Sequence, residues 1–304
     1  MGGTMSESNI DFMIQPQMQF TQDENGLEYI EINNPLATAK IALQGGHVLT
    51  WQPKSQAESV LWLSSNARYV KGRSVRGGIP ICWPWFGAHP TDSTLCAHGF
   101  ARVIPWQLVD ADTLRNGATR LFLQMMETAE SRRQLSYPHL LSMTITIGET
   151  LKIDLATTNK ASHPFVVGEA FHTYFNVSDI SNVHVKGLED ALYSDKVFAY
   201  ERRVEKNDVR FNGEFDRVYL NTTADCVVED IGYNRRIRVS KSGSQSTIVW
   251  TPWADKAAQM GDMGAPDEWR SMVCVETANA LENAVVISPN RTHVLSVEYS
   301  VETL

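Results

Sequence analysis

Leu141-Ser142-Met143-Thr144-Ile145-Thr146-Ile147 and, after Gly148-Glu149-Thr150, Leu151-Lys152-Ile153-Asp154-Leu155-Ala156-Thr157 decide the fold class. Apolar side chains stand at every second position, so an extended chain would place them all on one face. A helix would need them at i, i+3, i+4 and i+7, and neither run has that spacing. The short connection between the runs predicts two neighbouring strands. The same period recurs in both directions. Upstream lie Leu27–Ile32, Ala39–Leu43, His47–Trp51 and Arg120–Met125; downstream lie Thr247–Trp250, Met272–Val275 and His293–Tyr299. No segment sustains helical spacing over three turns, and short helical pieces are expected only at Ala254–Met260 and Pro266–Trp269. Many short strands without intervening helices predict an all-β chain, a sandwich or barrel.

The composition agrees with a globular protein. Of 304 residues, 43% are hydrophobic and 20% charged, and the net charge is −8. A net negative chain is a poor general binder of nucleic acid or of an anionic membrane surface. No apolar run reaches the roughly 20 residues that a membrane helix needs, and no secretory signal layout opens the chain. Met1-Gly2 with Ser6 fits the loose myristoylation pattern, but no polybasic patch follows it, and the plainer reading is a tail. Cys82, Cys96, Cys226 and Cys274 are widely spaced, which suits reduced thiols in a cytoplasmic protein. Residues 1–25 are expected to form a flexible tail leading to the first strand, and residues 26–304 a single domain.

Two stretches break the strand rhythm, 66–105 and 251–270, and long loops on a β scaffold are where sites are usually built. Between Glu58 and Asp92 there is no acidic residue, while Arg68, Lys71, Arg73 and Arg76 are all present and Arg102 follows. Arginine forks suit phosphate or carboxylate, so this is either an anion site or a solvated basic loop. His98 and Arg102 flank Gly99-Phe100-Ala101 and could embrace one polar ligand. If Phe165–Phe175 is a single strand, Phe165, Val167, Phe171 and Phe175 share one face, with Glu169 the exception. Gly168, Ala170, His172 and Tyr174 share the other, which has the small residues of a cleft floor. Glu276 ends an apolar strand, where a carboxylate needs a partner or a raised pKa and could act as a general base; the plainer alternative is a strand end pointing to solvent. Asp216 is a third, weaker candidate. No HxH, HExxH, CxxC, P-loop, dinucleotide fingerprint or GxSxG is present, so no metal site is expected.

Taken together and in order, RGGIPICWPWFG (76–87), HGFAR (98–102), FHTYF (171–175), the Asp216 segment, VWTPW (249–253) and VCVETAN (273–279) resemble the aldose 1-epimerase-like family. The resemblance runs from about residue 26 to 300, and the RGGIP and HGFAR motifs point to the glucose-6-phosphate 1-epimerase branch. It implies a galactose-mutarotase-like β-supersandwich, mostly antiparallel. It also implies interconversion of the α and β anomers of a hexose 6-phosphate, without cofactor or metal, by a monomer. By motif position His172 would be the general acid and Glu276 the general base, with Arg76, His98, Arg102 and Asp216 binding substrate. Ala97 stands where the branch often has Gln, and Thr251 where Asn is common. Two other readings remain: a sugar-phosphate binder without turnover, and a glycoside hydrolase or lyase, which would normally use two carboxylates.

Overall fold

A computed structural model describes residues 17–304; the myristoylation pattern and most of the expected tail lie outside them. Two eight-stranded sheets carry the architecture. One runs Val183–Lys186, Cys226–Asp230, Arg235–Ser242, Thr292–Thr303, Leu151–Asn159, His139–Ile147, Thr119–Met125, Trp106–Thr113. The other runs Glu201–Val204, Leu192–Asp195, Phe215–Leu220, Ser246–Thr251, Met272–Asn279, Glu169–Phe171, Ile81–Cys82, with Tyr174–Asn176 also paired to Met272–Asn279. A four-stranded meander from Met18 to Pro53 and a small ladder between Phe165–Val167 and Val285–Ile287 complete the set, and every strand pair is antiparallel. The strand Met18–Gln22 pairs with Glu28–Asn33, so order begins inside the segment expected to be tail.

The alternation read from the sequence is the alternation of burial. In Leu151–Asn159 every odd-numbered residue is buried, and Thr119–Met125 shows the same pattern. Met272–Asn279 differs, being buried at all eight positions because both of its faces are covered. Val273 and Phe175 meet the first sheet on one face, where Phe175 packs edge-on to Tyr299 and Thr173 is hydrogen-bonded to the Tyr299 hydroxyl. The other face carries Cys274 and Glu276. Helix is scarce: Trp253–Gln259 falls where it was expected, a 3-10 turn at Glu268–Ser271 begins two residues late, and Ala129–Gln134 was not foreseen.

The stretch Phe165–Phe175 is not one strand. It breaks at Gly168 and again at His172-Thr173 into three short strands, Phe165–Val167, Glu169–Phe171 and Tyr174–Asn176, the first belonging to a different ladder. Glu169, the misfit of the single-strand reading, is fully buried and held by His293 (2.7 Å) and Asn279 (2.9 Å). Both partners bind Oε1, while Oε2 is buried without a hydrogen-bond partner.

Segment 66–105 joins the second sheet through Ile81–Cys82, paired with Ala170 and Phe171, and then folds back on itself. The Trp83 carbonyl accepts hydrogen bonds from the amides of Phe100 (3.0 Å) and Ala101 (3.2 Å). Gly99, at φ +70°, lies so close to that carbonyl that a Cβ would overlap it. Gly99→Ala should therefore cost on the order of 2 kcal/mol and shift His98 and Arg102 together. A urea titration of the variant checks this, and an unchanged midpoint would refute it.

Candidate active site

Cross-strand register assembles the site. Phe171 lies opposite Thr277 and Tyr174 opposite Cys274. The register is the same on both sides of the break at His172-Thr173, so His172 stands opposite Glu276. Directly opposed residues of an antiparallel pair share a face. The ladder is interrupted at Thr173, whose amide turns back to the Phe171 carbonyl (2.9 Å), while the His172 amide bonds the Pro80 carbonyl (3.0 Å) in the register that pairs Phe171 with Ile81. The His172 imidazole Nε2 lies 3.4 Å from Glu276 Oε1. The pair is nearly dry, with the side chains 12% and 2% exposed. The alternative of a strand-end carboxylate pointing to solvent is thus excluded.

The same face continues across the sheet. Trp250 lies opposite Cys274, and Asp216 opposite Trp250. Asp216 Oδ2 is 3.2 Å from Lys196 Nζ. The His172 ring stacks on Tyr174 (4.8 Å between centroids, 11° between planes), with Trp250 and His98 edge-on at 6.0 and 5.7 Å. Tyr174 in turn accepts a hydrogen bond at its hydroxyl from Arg76 Nη1 (2.8 Å), whose Nε pairs with Asp262 (3.2 Å). A cleft of about 670 Å³ opens beside this row, lined by Arg68, Arg73, Arg76, Arg102, Tyr174 and Asp262. The basic segment is therefore not scattered over the surface. Four of its arginines line one cavity, Arg102 with its Nη2 bound to the Ala97 carbonyl (2.8 Å).

The charge states follow from burial. Burial pushes the Glu276 carboxyl well above its usual range, reinforced by the nearby Asp216. Burial pushes His172 well below 6.5, reinforced by His98, Arg102 and Arg76. Both shifts favour the uncharged forms, a neutral imidazole facing a carboxylic acid, with one proton held between two groups either of which can carry it. Asp216 is also raised by burial, opposed by Lys196. His98 is lowered to about 3 by burial and by Arg102, Lys196 and Arg76. Its Nδ1 accepts from the Gly87 amide (3.3 Å), which assigns its hydrogen to Nε2.

All six residues singled out from the sequence thus lie around one floor and its cleft. Lys196 and Asp262 were missed. Each sits in a connection with no motif around it; strand pairing shows what Lys196 touches, and the packing of two distant loops what Asp262 touches. Thr251, one of the two departures noted above, is fully buried with its hydroxyl unpartnered.

The sequence profile of the family described as aldose 1-epimerase matches residues 28–300. A protein of Escherichia coli K12 named "Putative glucose-6-phosphate 1-epimerase" is 37% identical over 88% of each chain. A protein of the same name from Salmonella typhimurium is 38% identical over 87% of this chain and 88% of its own. The crystal structure of a "putative mutarotase" from Salmonella typhimurium superposes with a TM-score of 0.89 at 33% identity, over 96% of each chain. A galactose mutarotase-like protein from Clostridium acetobutylicum shares the fold at a TM-score of 0.70 and 14% identity, over 94% of this chain and 98% of its own. With a family profile spanning nearly all of its described residues and relatives at 37–38% identity over most of their length, the chain belongs to the aldose 1-epimerase family.

Proposed function

We propose that this protein interconverts the α and β anomers of hexose 6-phosphates, glucose 6-phosphate foremost, with His172 and Glu276 as the proton-transfer pair. The observation that carries the reading is the opposition of the two groups across an interrupted ladder, beside a cleft lined by arginines. Mutarotation requires opening of a hemiacetal ring. Glu276 as carboxylate takes the proton from the anomeric hydroxyl while His172 protonates the ring oxygen. The aldehyde forms, the C1–C2 bond rotates, and the ring closes on the other face with the roles reversed. A pair that holds one proton and can pass it either way suits a reaction that is chemically the same in both directions. The step consumes no electrons and expels no group. Arg76, Arg102 and their neighbours would bind the phosphate dianion away from C1, so that binding energy is spent on orientation. His98 and Asp216 would meet ring hydroxyls, with Lys196 beside Asp216.

The direct test is exchange NMR or polarimetry on glucose 6-phosphate, in which added protein should speed anomer equilibration. Protein that binds the sugar phosphate without speeding exchange would be a binding module instead.

Tyr174 links the two halves of the site, with its ring on His172 and its hydroxyl on Arg76. Tyr174→Phe keeps the ring and removes the hydroxyl. We expect KM for hexose 6-phosphate to rise about 5–10-fold, the equivalent of one net hydrogen bond, with kcat little changed. Loss of kcat at constant KM would place the hydroxyl in the chemistry instead.

A further inference from the structure

Cys274 takes no part in the proton transfer described above, yet it lies on the same strand face as Glu276, two residues away, and diagonally across the ladder from His172. One donor atom from each of His172, Cys274 and Glu276 falls within 4.8 Å of the other two. Two buried donor atoms there have no hydrogen-bond partner, Nδ1 of His172 and Oε2 of Glu276. The 3.4 Å separation of His172 Nε2 and Glu276 Oε1 is longer than a charge-assisted hydrogen bond, so the pair does not saturate itself.

We propose that His172, Cys274 and Glu276 form a binding site for a thiophilic divalent cation, zinc or cadmium, and that such a cation inhibits the protein by occupying the place of the anomeric oxygens. An imidazole, a thiol and a carboxylate are the donor types that zinc takes, and three protein ligands leave a fourth position open. Magnesium and calcium prefer all-oxygen shells and are poorly served here. Bonds of about 2.0–2.3 Å from the ion to each donor would bring the donors to about 3.3–3.6 Å apart, so closing on the ion requires side-chain shifts of about 1 Å. Binding forms one metal–nitrogen, one metal–sulfur and one metal–oxygen bond. It releases the thiol proton and the proton held by the His172–Glu276 pair, and no electrons move. The charges of Arg76 and Arg102 oppose a second cation in the cleft, which makes this a reversible inhibitory ion rather than a resident one. The inhibitory half rests on the anomerase reading; the binding half does not.

Cadmium alone, without sugar, is the probe, read by its thiolate charge-transfer absorption. The full chain is compared with Cys274→Ser and with Cys96→Ser, Cys96 being the exposed thiol. The expected result is one saturable cadmium ion in the native chain and in Cys96→Ser, with affinity at least tenfold weaker in Cys274→Ser. Cadmium NMR of Cys96→Ser should show a single-thiolate resonance, which tests the site even if Cys274→Ser does not fold. Equal binding in the native chain and Cys274→Ser, or a resonance typical of oxygen and nitrogen ligands only, overturns the site. Because these readouts need no turnover, they stand apart from any failure of the anomerase reading. In turnover, cadmium should compete with glucose 6-phosphate, and Cys274→Ser should keep its basal rate but resist the ion. Inhibition that is equally strong in Cys274→Ser overturns the mechanism.

Discussion

Glu276→Gln should lower the catalysed rate of anomer exchange in glucose 6-phosphate by about 10²–10⁴-fold, and His172→Ala by a comparable factor, with folding retained. Glutamine fills the same space opposite His172 but cannot take a proton. The burial that raises the carboxyl's pKa also means that exchanging it for a neutral amide removes little charge from the core, so the loss should appear in kcat and not in stability. The double variant should be little worse than either single one, because the two groups act as a unit on one proton. The pH profile carries its own sign. The active pair holds one proton, and gaining a second means protonating His172, which its surroundings hold well below 6.5. We therefore expect kcat to hold as pH falls through 6.5 and to drop only at more acid values. Polarimetry at saturating substrate measures all of this. Full activity in both single variants, or an acid limb centred at or above 6.5, would remove the pair from the mechanism.

Arg76→Ala should raise KM for hexose 6-phosphates by about 10²-fold while changing that for the unphosphorylated hexoses less than threefold. A charge-assisted bond to an anion contributes about 1.5–3 kcal/mol, and the largest losses follow where the remaining groups cannot take over. Arg76 is the arginine held most firmly, between the Tyr174 hydroxyl and Asp262, and these two raise its pKa despite burial. A guanidinium fixed by two side chains loses less entropy on binding than that of Arg102, held by one carbonyl, would. The contrast between the two sugars is the test. An equal loss for both would make Arg76 a structural residue or a ligand for another part of the substrate.

The sequence was most legible where one physical rule decides the outcome. Alternation in Leu141–Ile147 and Leu151–Thr157 marks half-buried strands, and the structure pairs those two runs. In Phe165–Phe175 the rule misled, because period two cannot tell one strand from three collinear pieces. The second break is a tight local turn, the Thr173 amide bonding back to the Phe171 carbonyl, which alternation does not register. The faces nonetheless came out correctly for Ala170, His172 and Tyr174, since the register survives the interruption. What could not be read was register between strands far apart in the chain. It places Lys196 against Asp216 and Cys274 near His172, and the packing of the two long loops sets Asp262 against Arg76; none of these pairs has a local signature.

The proton-handling pair sits on a sheet floor whose geometry is set by strand register, whereas the arginines and Asp262 that line the cleft come from the two connecting segments, 66–105 and 251–270. On the proposed function, recognition of the substrate's tail and reaction at its head are thus written in separable parts of the chain. Transplanting those rims between scaffolds of this kind should redirect which sugar derivative is admitted without rebuilding the reactive centre.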